Sequence, residues 1–432
     1  MKLCLKKFQL KFIIVLVIYL SLFAFVTACD PFAPDETDSD SYQNSNLSSS
    51  TPSQDDNEPI DELETPEPPQ DEETPPPTPE PPPPEPVNLV AHTGTVEHIF
   101  FHELIAFPEM AFTGDSMERG FDDYMVTVLE YERILESLYR NNFILVDMND
   151  VWSEYTNAQG QLRMQRNTLM LPEGKNPIVI SFDDLNFYAY MQGYGFMDRY
   201  IIGEDGEIWA EGYDPNGNRI VSQDYTAVTI LDRFVRENPG FSHNGAKGAI
   251  ALTGYEGILG YRTQGSLTDD SEEFQLNRRE EIARVRPVVQ RLLDTGWYFT
   301  SHSFGHIRLD SASLERAQND GRRWRDEVGS LVGDTVIFIY PFGSRLDGGD
   351  VWVANAGPAL RYYIEELGFR MFASVGSEPF VHIRDDVPAV MMDRMASDGI
   401  TLRNRRERFL RLYDAREVFD DRRPNFGNTW GD

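Results

Sequence analysis

Residues 177–188 read PIVISFDDLNFY. The apolar, β-branched run at 178–180 describes a strand buried on both faces, the pattern of a parallel sheet covered by helices. It runs straight into two adjacent acids, Asp183 and Asp184. Like charges at the end of a buried strand either wet themselves at the domain surface or face something positive. The rest of the chain has to supply that partner.

Working outward, strand and helix patterns alternate. Residues 96–101 (VEHIFF) read as a strand, 126–140 as an amphipathic helix, and FILVDM as the strand that follows. Beyond 275, a helix at 280–294, with Pro287 expected to kink it, precedes the strand WYFTS. A helix at 313–331 precedes VIFIY, ALRYYIEELG precedes FRMFASV, and AVMMDRM leads to a helix at 403–412. Short apolar strands alternating with helices imply parallel pairing with the helices outside. The expected fold is α/β, a (β/α) barrel, incomplete or distorted, over residues 88–432. The stretch 189–275 breaks the rhythm. EDGEIW and DPNGNRI look like hairpin turns, and tyrosines and glycines are dense, so it reads as a β-rich insertion.

The chain opens with Lys2, Lys6, Lys7 and Lys11, then an apolar run over 12–28, which is the layout of a secretory signal peptide. Val26-Thr27-Ala28-Cys29 resembles a bacterial lipobox, so Cys29 is expected to carry a lipid and to tether the body to the outer face of the cell membrane, reaching into the wall. Residues 30–86 hold 17 acids, 16 prolines and no Lys or Arg. Such a segment cannot bury enough apolar surface to order itself, and 29–87 reads as a disordered, partly polyproline spacer. The remaining 346 residues carry 54 acids and 35 bases, a net charge of −19, which argues against a nucleic-acid partner. Both cysteines fall in the leader, so the body has no disulfide. Nothing in the pattern calls for an obligate protein partner.

Active sites of barrels of this kind collect at the C-terminal strand ends. These ends present Asp183-Asp184, His302-Ser303-Phe304-Gly305-His306, Pro341-Phe342-Gly343, His102 and Arg394. Two imidazoles four residues apart can reach one metal where a loop turns toward a helix, and two histidines plus a carboxylate form a common Zn²⁺ shell. Either element alone is equally at home on a surface; their joint placement at strand ends is the signal.

SFDDLN, HSFGH and YPFG, in this order, resemble the first three motifs of the polysaccharide deacetylases, carbohydrate esterase family four. The resemblance covers roughly residues 95–415, leaving 189–275 unaccounted for. It implies a metal-dependent removal of acetyl groups from N-acetylated polysaccharide, peptidoglycan or a poly-N-acetylglucosamine. It implies Asp184, His302 and His306 as ligands of Zn²⁺, or of Co²⁺, Ni²⁺ or Mn²⁺. Asp183 becomes the general base on the attacking water, and the backbone N–H of Phe342 an oxyanion donor in a turn shaped by Pro341 and Gly343. His102, Tyr261 and Arg262 are expected at the substrate. The chain departs from the family at two points. Ile339 stands where an arginine normally positions the base, with Arg394 the candidate to reach in instead, and no histidine follows Met395 to protonate the leaving amine. These departures leave a second reading open, a catalytically silent glycan-binding or wall-scaffolding lipoprotein. A solute-binding lipoprotein would need two hinged lobes, which the pattern does not show.

Overall fold

The computed structural model describes residues 88–429 except 267, 349, 350 and 353. The leader, Cys29 and the acidic spacer lie outside the described residues.

Eight parallel strands build the central sheet: β1 (Glu97–Phe101), β2 (Phe143–Leu145), β3 (Asn176–Asp183), β4 (Ala249–Leu252), β5 (Tyr298–Ser301), β6 (Ile337–Ile339), β7 (Met371–Val375) and β8 (Val390–Ala396), with a short antiparallel strand, Val381–Ile383, added on β8. Seven of them close a parallel ring in the order β3-β4-β5-β6-β7-β8-β1 and back to β3. β2 lies outside the ring and pairs with the first half of β3, through Asn176 to Ile178, while β4 takes the same edge higher up, at Ser181 to Asp183. The barrel is therefore closed, by a strand that the sequence pattern had assigned to the insertion. β4 is only the four residues AIAL, and glycines at 245, 248 and 254 make its surroundings read as a loop. Gly245 takes a positive φ of +80° with open space around it, whereas Gly248 and Gly254 answer to packing. A Cβ on Gly248 would stand 3.0 Å from the Ile180 carbonyl oxygen and from the Phe182 and Trp297 rings. The β-rich insertion narrows to a three-stranded antiparallel sheet, Met197–Ile202, Ile208–Tyr213 and Arg219–Ser222, whose hairpin turns fall at EDGE and DPNGN.

Helices α1 (Val128–Arg140), α2 (Ala227–Glu237), α3 (Glu272–Asp294), α4 (Leu314–Trp324) and α5 (Pro358–Glu365) flank the ring. α1 begins at a capping box in which Thr127 and Glu130 satisfy each other's backbone N–H. Its buried stripe, Tyr131, Ile134, Leu135 and Leu138, belongs to the same core as Ile99, Phe101, Ile180 and Phe182. α3 runs on through Pro287, which is exposed, so the carbonyl that loses its hydrogen bond faces water. The expected single helix at 403–412 is two short helices, Gly399–Asn404 and Arg406–Phe409, separated at Arg405.

Period-two alternation sorts each strand between an outer and an inner face. The lumen is filled by Val179, Ala251, Ile337, Ile339, Met371, Ala373, Val390 and Met392. On β3 the same period places Ser181 and Asp183 on the lumen side above Val179, so the final acid of the strand points into the mouth of the barrel. The C-terminal segment returns to lock the fold: the buried Arg423 spans Asp122 (2.9 Å) and Glu130 (2.6 Å), and Arg403 pairs with Asp122 and Asp123.

One buried acid is not paired with a cation in this way. Glu103, 1% exposed, follows β1 and accepts from the Leu104 N–H at 3.0 Å and the Tyr200 hydroxyl at 3.4 Å. Burial outweighs these bonds and raises its pKa from 4.5 to about 8. The folded state then holds a proton that the unfolded state releases above pH 4.5, so stability should fall as pH rises from about 5 to 8, by roughly a few kcal/mol in total. Urea unfolding across that range should show the fall, and Glu103→Gln should flatten it. An equal slope in the variant would place the titrating group elsewhere.

Candidate active site

The opening question about the aspartate pair is answered across the barrel. Arg394 on β8 is fully buried and grips Asp183 bidentately, Nη1 donating to Oδ1 at 2.7 Å and Nη2 to Oδ2 at 2.9 Å. The same Nη1 reaches Ser181 Oγ at 3.1 Å, and the guanidinium stacks over Phe100 at 4.1 Å. His98 Nε2 lies 2.9 Å from Ser181 Oγ, and burial together with the Arg394 charge lowers its pKa, keeping the imidazole neutral. Burial pushes the Asp183 carboxyl up, but the Arg394 guanidinium outweighs it and holds Asp183 well below the usual carboxylate range. Asp183 is thus an ionised acceptor in a dry, rigid setting.

Asp184 turns away from the strand. Its φ is +61°, and its N–H donates to the Ala251 carbonyl of β4 at 3.0 Å. This swing carries its Oδ2 to 3.5 Å from His306 Nε2 and 4.0 Å from His302 Nε2. One ligand atom from each of Asp184, His302 and His306 lies within 4.8 Å of the others. Ligands about 2.0–2.1 Å from a tetrahedral ion stand roughly 3.3–3.5 Å apart, so the Asp184–His306 pair already has that spacing and the three groups would draw together on one shared cation. The tautomer also fits. His302 Nδ1–H donates to the Ile339 carbonyl at 3.0 Å, leaving Nε2 bare toward the acids. Burial lowers the His302 pKa more than Asp183 and Asp184 raise it, favouring the neutral ring a metal requires. These three residues can hold a metal ion.

A further layer fixes the ligands. Tyr188 donates to Asp184 Oδ1 at 2.7 Å and lies 2.6 Å from Thr253 Oγ1. Burial and the Asp184 charge push its phenol up, so it keeps the proton it donates. Asp320 on α4 accepts the N–H groups of Phe304 and Gly305, both at 2.8 Å, and thereby clamps the turn between the two histidines. Ser303 and His306 both take positive φ in that turn, at +57° and +48°.

The turn at Pro341, Phe342 and Gly343 stands beside the ligands: the Phe342 ring packs edge-on against His306 at 4.4 Å. Phe342 has φ +56° and Gly343 φ +66°, and a Cβ on Gly343 would meet Val375 at 3.0 Å. His102 is half-buried, its Nδ1 held by the Tyr124 carbonyl at 2.9 Å.

Of the two residues expected at the substrate, Tyr261 is buried and Arg262 is half-buried. Tyr261 is 3% exposed, its hydroxyl bonded to the Tyr200 carbonyl at 2.9 Å and its ring between Arg199 and Arg284. Arg262 braces the Phe187 carbonyl at 3.0 Å and Glu256 at 3.3 Å. Both hold the loops after β3 and β4 together, because the β4 that sequence reading missed brings those loops side by side. Sequence patterns mark none of Thr253, Ser181, His98, Tyr188 and Asp320 as site residues. Thr253 is the residue after β4, so recognising that strand would have exposed it.

No protein-family model matches the chain, and no curated protein matches it. Among solved structures, the Streptococcus pyogenes deacetylase PplD in complex with acetate overlaps 72% of this chain and 94% of its own, at 11% identity and a TM-score of 0.37. A Mycobacterium smegmatis protein with a provisional polysaccharide-deacetylase designation overlaps 40% of this chain and 46% of its own, at 12% identity and a TM-score of 0.23. Overlaps this loose assign neither an activity nor a substrate to this chain.

Proposed function

We propose that the protein is a divalent-metal-dependent deacetylase of N-acetylated cell-surface polysaccharide, with peptidoglycan or a poly-N-acetylglucosamine as substrate, exported and tethered to the membrane by a lipid on Cys29. The observation that carries this reading is the ionised Asp183, locked by Arg394 and placed directly against the Asp184, His302 and His306 cluster: its Oδ2 is 3.8 Å from His302 Nε2. A ligand cluster alone would suit a structural metal; a fixed carboxylate beside it supplies a base.

A bound divalent ion would supply Lewis acidity there, polarising the acetyl carbonyl and making water more acidic. Two imidazoles and one carboxylate suit Zn²⁺ first, with Co²⁺, Ni²⁺ or Mn²⁺ able to use the same donors. Asp183 takes the proton of the attacking water, and its clamped geometry holds the accepting oxygen in place. The Phe342 backbone N–H, in the turn beside His306, is assigned as donor to the oxyanion. Collapse breaks the C–N bond, and the leaving amine needs a proton. Of the seven histidines, two are metal ligands, and His98 is buried against Ser181. His102, half-buried after β1 with its Nδ1 held by the Tyr124 carbonyl, is the assigned donor. The partly buried rings of Tyr190 and Tyr255, each in contact with the Tyr188 ring, offer apolar faces to a sugar.

The competing reading, a silent glycan-binding lipoprotein, rests on Ile339 and on the missing C-terminal histidine. The grip of Arg394 on Asp183 and the assignment of His102 as donor weigh against it. Acetate release from N-acetylglucosamine oligomers and from peptidoglycan, with the soluble body as Zn²⁺-loaded and chelator-stripped samples, tests the proposal. Release by the loaded sample alone is expected. Glycan binding without release from loaded protein would favour the silent reading.

A further inference from the structure

We infer that Tyr188 and Thr253 form a positioning relay that holds Asp184 as a one-oxygen ligand and so sets the affinity and coordination number of the metal centre. This rests on the reading of Asp184, His302 and His306 as that centre.

The direction of the relay follows from proton counting. An ionised carboxylate only accepts, so the 2.7 Å contact from Tyr188 to Asp184 Oδ1 uses the single phenolic proton. The 2.6 Å contact between the Tyr188 and Thr253 hydroxyls must then run the other way, with Thr253 Oγ1–H donating to Tyr188. Each bond in the series Thr253 to Tyr188 to Asp184 polarises the next. The consequence lies at Asp184. Its Oδ1 is occupied, while its Oδ2 is the oxygen nearest His302 and His306. Turning the carboxylate to bring Oδ1 to a cation as well would move that oxygen away from the tyrosine that holds it.

Both members are built in. Tyr188 is 5% exposed, with its ring 5.6 Å from Tyr190 and 5.5 Å from Tyr255. Thr253 is fully buried at the end of β4, and its carbonyl accepts from Asn186 Nδ2 at 3.0 Å. The relay therefore joins the loop after β3, which carries the ligand, to the end of β4. Asp184 is tied to β4 a second time through the Ala251 carbonyl. A ligand supported in this way loses little freedom when an ion arrives, and loss of such outer support typically weakens metal affinity about 10- to 100-fold.

The test measures Zn²⁺ affinity by competition with a chromophoric chelator, and the visible spectrum of the Co²⁺-loaded protein, for Tyr188→Phe, Thr253→Val, Thr253→Ser, the Tyr188→Phe/Thr253→Val double variant and Asp184→Asn. Phenylalanine keeps the ring packing, so only the hydroxyl is lost. Tyr188→Phe should weaken Zn²⁺ binding about 10- to 100-fold. It should also lower Co²⁺ visible absorption, because a freed Oδ1 raises the coordination number. Thr253→Val should weaken binding in the same direction, Thr253→Ser should restore it, and the double variant should be no worse than Tyr188→Phe alone. Unchanged Zn²⁺ affinity and Co²⁺ spectrum in Tyr188→Phe, alongside strong loss in Asp184→Asn, would overturn the relay and leave the metal centre standing. Unchanged affinity in Asp184→Asn would overturn the metal centre itself. Additive losses in the double variant would show two separate supports and also refute the relay.

Discussion

Asp183→Asn should lower the rate of acetate release by about 10²- to 10⁴-fold while one divalent ion still binds per chain. The amide is nearly isosteric and cannot accept the water's proton as a base. Asp183 is not among the three residues spaced to share an ion, so the ligand set survives. The substitution also leaves the Arg394 guanidinium facing an amide in a fully buried position, and some loss of thermal stability should accompany it. Metal stoichiometry measured on the same sample separates the two effects. An Asp183→Asn protein that binds metal and releases acetate at an undiminished rate would remove Asp183 from the chemistry.

Arg394→Leu should be the more damaging change to the fold. Breaking a buried pair by removing one partner costs about 3–5 kcal/mol, because the remaining charge has no solvent to replace it. Its catalytic signature is a shift in pH dependence. The base must be ionised to work, and Arg394 is what outweighs burial in holding the Asp183 pKa down. Without the guanidinium, burial prevails and the pKa rises, so the acid limb of the pH–rate profile should move to higher pH. Arg394→Lys retains the charge but loses the two-pronged grip, and should move the limb less. The linkage sign agrees: a carboxylate depressed in the folded state contributes stability above its unfolded pKa, which is lost as pH falls through the folded value. An acid limb that stays in place in Arg394→Leu would mean that some other group sets it.

The site was legible in the sequence to the extent that strand ends were legible. Asp183, Asp184 and His302 stand at the ends of runs of β-branched or aromatic residues, His306 follows in the same loop and Arg394 lies inside the apolar strand β8, and a parallel barrel brings these positions to one face. The distance across the mouth was not legible. That Arg394 lies two hydrogen bonds from Asp183, 211 residues away, depends on β8 and β3 standing on either side of β1, a ring order that no local pattern encodes. The four-residue β4 failed for a different reason. Its neighbours include Gly248 and Gly254, which are there because Trp297, Phe182 and the Phe304 ring press against them, and tertiary crowding of this kind looks like a loop in one dimension. With β4 hidden, Thr253 could not be counted as a strand end, and the burial of Tyr261 could not be foreseen.

The most direct test of the account is acetate release from an N-acetylglucosamine oligomer measured against metal occupancy, from the stripped protein to saturation. The account predicts no release without metal, a rise in proportion to occupancy, and a plateau at one ion per chain. Release that is indifferent to the chelator, or none at full occupancy, would contradict it.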